Sequence, residues 1–257
     1  MDQLINSVIN NQTAFLFIMT RVSSFMAALP ILDGKSVPHS VKILLVLSIA
    51  FVLFPVVHVN LPSPGLFDWF IAFLREALIG LLMGFGTRVV FAAVELGGEL
   101  SGLQMGLNAA NLYDPASSRQ VSLIGKFEVF IAVMIFFGVN AHHIVLEALV
   151  SSFSIPYQPE VSVSSSLAHY LIRVTGEMFV LGMKIGIPVL MTLLMTTVAM
   201  GILSRVVPQI NIFFLSFPLT IGLGLLILGA STSMIISLVS REFHNLGGVL
   251  NELLQRV

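Results

Sequence analysis

From Val206 to Ser240 the chain runs for 35 residues without a formal charge. A bilayer core about 30 Å thick is crossed by roughly 20 apolar residues in a helix. The run is therefore too long for one span and too apolar for a solvated surface. Pro208 and Pro218 interrupt it, and proline stops or restarts a helix because it lacks the N–H and fixes φ. The expected arrangement is a loop around Pro208 and Gln209, then a helix beginning near Pro218. The same punctuation marks Ile43–Phe67 (25 uncharged residues), Val129–Leu146 (18, broken only by Asn140 and the pair His142 and His143) and Ile185–Ser204 (20). Thr13–Leu32 and Trp69–Val94 bring the count to about six hydrophobic segments, several broken by Pro, Gly or charge. The expected fold is all-α, a multi-helix integral membrane protein.

Composition narrows the function. Charged residues make up 10% of the chain and hydrophobic ones 56%, where a soluble domain carries about 25% charge. Mean hydropathy is +0.99. Most of the chain must contact lipid or other protein. Disorder and a secreted disulfide scaffold are excluded. A net charge of −1 leaves no electrostatic footprint for nucleic acid. Cysteine is absent, which removes thiol catalysis and Cys-ligated metals. The first basic residue is Arg21 and no A-x-A-like site follows the first apolar run, so a retained helix over Thr13–Leu32 is expected in place of a cleavable signal peptide. The connecting stretches Asp33–Lys42, Leu61–Asp68 and Ser151–Ser166 are short, and no separate soluble domain is expected.

Several segments are poor lipid-facing spans. Arg21 lies in the first, Arg75, Glu76 and Arg88 in the third, and Lys184 just before Pro188 in the fifth. An ionisable group at the bilayer centre costs roughly 2.5–3.5 kcal/mol on insertion scales. Lys184 and Arg205 read as snorkelling residues near helix ends. Arg75 and Glu76, opposite in sign and adjacent, are expected to face protein. Glu95 and Glu99 are four apart and share a helix face. Paired carboxylates in an apolar setting can bind a cation or relay protons; the plainer reading, the polar end of the third helix, is favoured. Arg88 lies seven before Glu95 and is placed to neutralise it.

Gly98, Gly102 and Gly106 form a small-xxx-small ladder, as do Gly80 with Gly84 and Gly182 with Gly186. Such ladders let helix backbones approach closely, within the chain or against partners. His142 and His143 point about 100° apart on a helix and have no evident co-ligands, so no metal and no cofactor are expected. The chain has no H-E-x-x-H, G-x-S-x-G or P-loop pattern, and no enzyme activity is expected. Asn108–Gln120 reads NAANLYDPASSRQ. Asp114 and Pro115 start a turn, with the bulky Leu112 and Tyr113 immediately before it. By composition this is an ordinary solvent loop; at membrane depth, such backbone survives only buried in protein or lining a cavity.

Four stretches resemble one family. They are RVSSFMAALPILDGKSVPHSVK (Arg21–Lys42), ELGGELSGLQMGLNAANLYDP (Glu95–Pro115), NAHHIVLEALVSS (Asn140–Ser152) and RVVPQINIFFLSFPLTIGLG (Arg205–Gly224). The Pro-Gln-Ile-Asn element is the most specific of them. The chain resembles the FliR family of the flagellar type III protein export gate, whose injectisome relatives are close.

The resemblance implies a core export-gate subunit. One R copy joins several P and Q subunits in a protein-conducting channel of the bacterial inner membrane, at the centre of the flagellar basal body. Exported flagellar proteins pass through it. An FlhB-like export switch wraps the closed gate, and part of the complex sits above the usual membrane plane. The front of the chain, roughly 1–175, would be P-like and the rear hairpin, roughly 176–257, Q-like. By this resemblance the segment from Gly106 becomes the channel plug: Gly106, Leu107, Asn108, Ala109, Ala110, Asn111, Leu112, Tyr113, Asp114, Pro115, Ala116, Ser117 and Ser118. Arg75, Glu76, Arg88, Glu95 and Glu99 are expected as buried or intersubunit charges. Gly98, Gly102 and Gly106 are expected in helix packing. The alternatives are an injectisome gate subunit, or a small-molecule or ion carrier coupled through Arg75, Glu76, Glu95 and Glu99.

Overall fold

Three helices dominate the computed structural model, which describes residues 2–30, 37–57, 65–107, 122–154, 165–209 and 211–256. In chain order the helices are α1 (Asp2–Ala28), α2 (His39–Leu53), α3 (Leu66–Gln104), α4 (Leu123–Gly138), α5 (Ala141–Ser151), α6 (Ser165–Val206) and α7 (Ile212–Leu254). A 3-10 turn, Ser152–Ser154, follows α5. No strand occurs among the described residues, and the chain is an all-α membrane protein. The long helices α3, α6 and α7 have 39, 42 and 43 residues. At 1.5 Å per residue each is about 60 Å long, about twice the bilayer core. By length and apolarity each can cross a membrane. Helices α4 and α5 qualify only together, as a broken span, and α2 is apolar but shorter than a span.

The helix boundaries follow local chemistry. The apolar run from Ile43 stops being helical after Leu53; Phe54 still donates to the Ala50 carbonyl at 3.0 Å, and Pro55 then has no N–H to offer. The Val129–Leu146 segment breaks in two at Asn140, whose φ of 57° is left-handed, a conformation asparagine tolerates. Loop residues Pro208 and Gln209 separate α6 from α7, but α7 starts at Ile212, earlier than the expected start near Pro218. The reason is Asn211, whose backbone carbonyl and side-chain Oδ1 both accept from the Phe214 N–H, at 3.1 and 3.4 Å. That cap starts the helix, and Pro218 then removes one bond from inside it. Pro188 is likewise inside α6, where its carbonyl accepts from the Thr192 hydroxyl at 2.8 Å.

Two compact units are distinguishable. The first comprises Met1–Val89, Asn140–Val174 and His244–Val257. Its core holds Phe17, Val22, Phe25, Ile79 and Met83 on α1 and α3. Phe17 stacks on Phe73 at 4.4 Å and on Trp69 at 5.7 Å. Leu250 and Leu253 fill the space left by Gly86, and the Tyr170 hydroxyl donates to the Val249 carbonyl at 3.2 Å.

The second unit comprises Val90–Val139 and Thr175–Phe243. Phe91, Phe136 and Phe243 make a ring triangle with centroids 5.2–5.6 Å apart, within the range of favourable aromatic pairing. Met105, Ile124, Val189, Leu193 and Leu228 form a further buried cluster.

Candidate functional site

The charges expected to face protein are explained first by α1. Arg21 is buried, and its guanidinium grips Glu76 with two bonds, Nε to Oε2 at 2.6 Å and Nη2 to Oε1 at 2.7 Å. Its third nitrogen, Nη1, donates to the Ser152 hydroxyl at 2.9 Å, and that hydroxyl donates in turn to the Leu149 carbonyl at 2.6 Å. The Phe153 ring lies under the guanidinium at 4.0 Å. A bidentate arginine–carboxylate pair is strong and directional, and here its remaining donor and face are also occupied. The neighbouring contacts bring the helices close enough. Gly80 sits on the Arg21 carbonyl and Gly84 on Ala28, so the Gly80–Gly84 ladder is the α1–α3 crossing. Arg75 is also buried, while Arg88 is exposed.

In the second unit the remaining ladder residues do similar work. A side chain at Gly98 would meet the Gly125 Cα at 2.6 Å, and one at Gly102 would meet the Ser122 hydroxyl. Ser122 is the N-cap of α4 and accepts from the Gly125 N–H at 3.2 Å. Gly182 and Gly186 lie against α3 at Ala93, Leu96 and Gly97. Gly106 differs from the ladder expectation. Its φ is +80°, its N–H bonds to the Leu103 carbonyl at 3.0 Å, and it stands past the end of α3 beside the Phe217 ring. Only glycine adopts that backbone freely, so Gly106 stops the helix and does not continue its packing face.

Glu95 and Glu99 are not at the end of α3, which runs on to Gln104. Glu95 is exposed and Glu99 is half-buried, with its Cγ 3.3 Å from where a Gly125 side chain would begin. Residues Asn108, Ala109, Ala110, Asn111, Leu112, Tyr113, Asp114, Pro115, Ala116, Ser117 and Ser118 lie outside the described residues. The near flank is anchored: the Thr220 hydroxyl of α7 donates to the Met105 carbonyl at 3.3 Å, and Met105 packs on Gly224.

Comparison with known proteins places the whole arrangement. Residues 12–246 match the model of bacterial export proteins, family 1. The chain belongs to that family, the FliR family of export proteins. Similar relatives include the flagellar biosynthetic protein FliR of Bacillus subtilis (strain 168), 30% identical over 93% of both chains. The FliR of Escherichia coli (strain K12) is 32% identical over 91% of this chain and 92% of its own. That of Buchnera aphidicola from Acyrthosiphon pisum is 33% identical over 88% and 86%.

Sequence reasoning did not single out four residues of this geometry. Arg21 is noted only as an awkward charge, and its partner is 55 residues away. Ser152 carries no sequence signal of its own. Ser122 caps α4 from just beyond the polar loop. Glu128, buried on α4, sits two residues after Lys126 and just before the uncharged run from Val129.

Proposed function

We propose that the chain is a flagellar protein-export subunit of the bacterial inner membrane and basal body, and that it works within a channel built with P and Q subunits. The observation that carries the reading is a family match over residues 12–246, with relatives aligned over nearly their full length and named flagellar biosynthetic proteins. The packing supports it. Helices α6 and α7 leave Met195, Ile202, Phe214 and Leu226 more than 60% exposed, and apolar surface of that extent is the mark of lipid or partner contact. In this reading residues 1–175 form a P-like front and 176–257 a Q-like rear hairpin. Arg88 and Glu95, exposed on α3, pair with neighbouring subunits, and an FlhB-like switch embraces the gate. The segment from Gly106 to Ser118 is the plug, with Leu112 and Tyr113 held across the pore by the Asp114–Pro115 turn. Apolar groups at a constriction block ions by dewetting it. The chain's task is passage of flagellar proteins and not catalysis.

The test is genetic and physical. Expressed in a bacterium lacking its own R subunit, the chain should restore swimming and export, and should co-purify with P and Q subunits. Deleting Asn108–Ser117 should keep assembly and raise ion leak. A cysteine replacing Tyr113 should cross-link to a pore-facing partner helix and stall export until reductant is added. Transport of a small solute by the chain reconstituted alone would overturn the reading in favour of a carrier. Failure to associate with P and Q would overturn the gate assignment.

A further inference from the structure

Where α3 crosses α4, a carboxyl group is enclosed with no counter-charge among the described residues. Glu128 is 2% exposed. Its Oε2 is sealed from solvent and has no hydrogen-bond partner among the described residues. That oxygen lies over Gly98, 3.1 Å from where a side chain there would begin. The crossing is tight around it, with the Gly98 and Gly125 backbones in direct contact. Among the described residues, the other ionisable groups nearby do not supply a counter-charge. On α3 the facing groups are Glu95 and Glu99, both acidic; Glu99 packs on Gly125, one turn from Glu128. On α4 itself Lys126 is exposed. Helix α6 meets α3 at Gly97 through Gly182 and Ile185, and its nearby Lys184 is exposed. On α7, Arg241 and Glu242 adjoin Phe243, which packs on Phe136, two turns further along α4.

We propose that Glu128 is a proton-binding site of the α3–α4 crossing. A carboxylate with one oxygen sealed, and no donor or cation beside it among the described residues, keeps its charge only at a large desolvation penalty. Taking one proton from water forms the O–H bond and removes the charge, and the neutral acid fits the apolar contact at Gly98. Losing the proton returns a charge to that contact, which then favours separation of α3 from α4 so that water reaches the carboxylate. The inference concerns helix packing and stands whether or not the neighbouring loop is a plug.

Infrared difference spectroscopy on the full chain, assembled with its partner subunits in membranes, tests it. At neutral pH the parent should carry the carbonyl band of a protonated, deuterium-sensitive carboxylic acid, and Glu128→Gln should lose it. A parent spectrum without the band overturns the proposal and needs no variant to fold. So does loss of the band in Glu99→Gln instead. If sodium at fixed ionic strength stabilises the parent and not Glu128→Gln, the site takes a metal cation and the proton assignment fails.

Discussion

Helices α3 and α7 are similar in length and equally apolar in character, yet they are used in opposite ways. Of the most apolar stretch of α3, 61% is buried inside the chain, against 17% of that of α7. Glycine use follows the same division. On α3, Gly80, Gly84, Gly97, Gly98 and Gly102 each carry a backbone or side chain of another helix where their own side chain would be. On α7, Gly224 and Gly247 meet Met105 and Ile144, but Gly222, Gly229 and Gly248 have nothing within 4 Å of that position among the described residues. The first helix is packed mostly by its own chain. The second presents small residues and large apolar ones to whatever surrounds it, and small residues are what a closely approaching helix needs. A glycine count along the sequence would not separate the two.

The contrast breaks most sharply at the sealed ion pair. Arg21→Met or Glu76→Gln should each cost about 3–5 kcal/mol, because the surviving charge stays buried without compensation. Replacing both, Arg21→Met with Glu76→Leu, should recover most of the loss. Unfolding followed by the fluorescence of Trp69, the only tryptophan, reads this directly, since that ring stacks on Phe17. Equal stability of the single and double variants would remove the pair from the list of determinants.

A smaller effect is expected at the crossings. Gly98→Ala and Gly80→Ala should each cost about 1–3 kcal/mol by overpacking, since both would drive a methyl into backbone atoms. Parent-like thermal midpoints would mean that the helices slide apart freely. Below these comes Ser122→Ala, which removes the α4 cap and should cost about 1 kcal/mol, with Ser122→Gly costing less.

The smallest effect on the chain itself belongs to α7. Gly222→Leu with Gly229→Leu should leave intrinsic stability unchanged or slightly raised, because glycine inside a helix is roughly 0.5–1 kcal/mol worse than alanine. The same variant should lower recovery of partner subunits in co-purification. Unaltered recovery would assign that face to lipid.

Legibility in the sequence divides along physical lines. Uncharged runs and prolines are local, so the helices and the Pro208–Gln209 loop were readable. The start of α7 was not, because an asparagine cap inside an apolar run outweighs the proline seven positions on. Arg75 and Glu76 stood out by their charge inside an apolar run, and both are buried. That Glu76 belongs to Arg21 was not, since the partner lies on another helix. The ladders were readable as close packing, but not which helices they join, and a left-handed Gly106 is indistinguishable by letter from a packing glycine. Glu128 escaped for a related reason: nothing in the letters around it says that Gly98 will close over it.

The Arg21–Glu76–Ser152 contact also imposes an order in time. Arg21 leaves the ribosome 55 residues before Glu76 and 131 before Ser152. At synthesis rates of about 5–20 residues per second, α1 carries an unmatched guanidinium for several seconds before its carboxylate exists, and longer before the last acceptor arrives. During that interval the nascent helix is a poor candidate for stable release into lipid. A chain that stops short of Glu76 leaves the Arg21 guanidinium without the carboxylate that holds it in the folded chain.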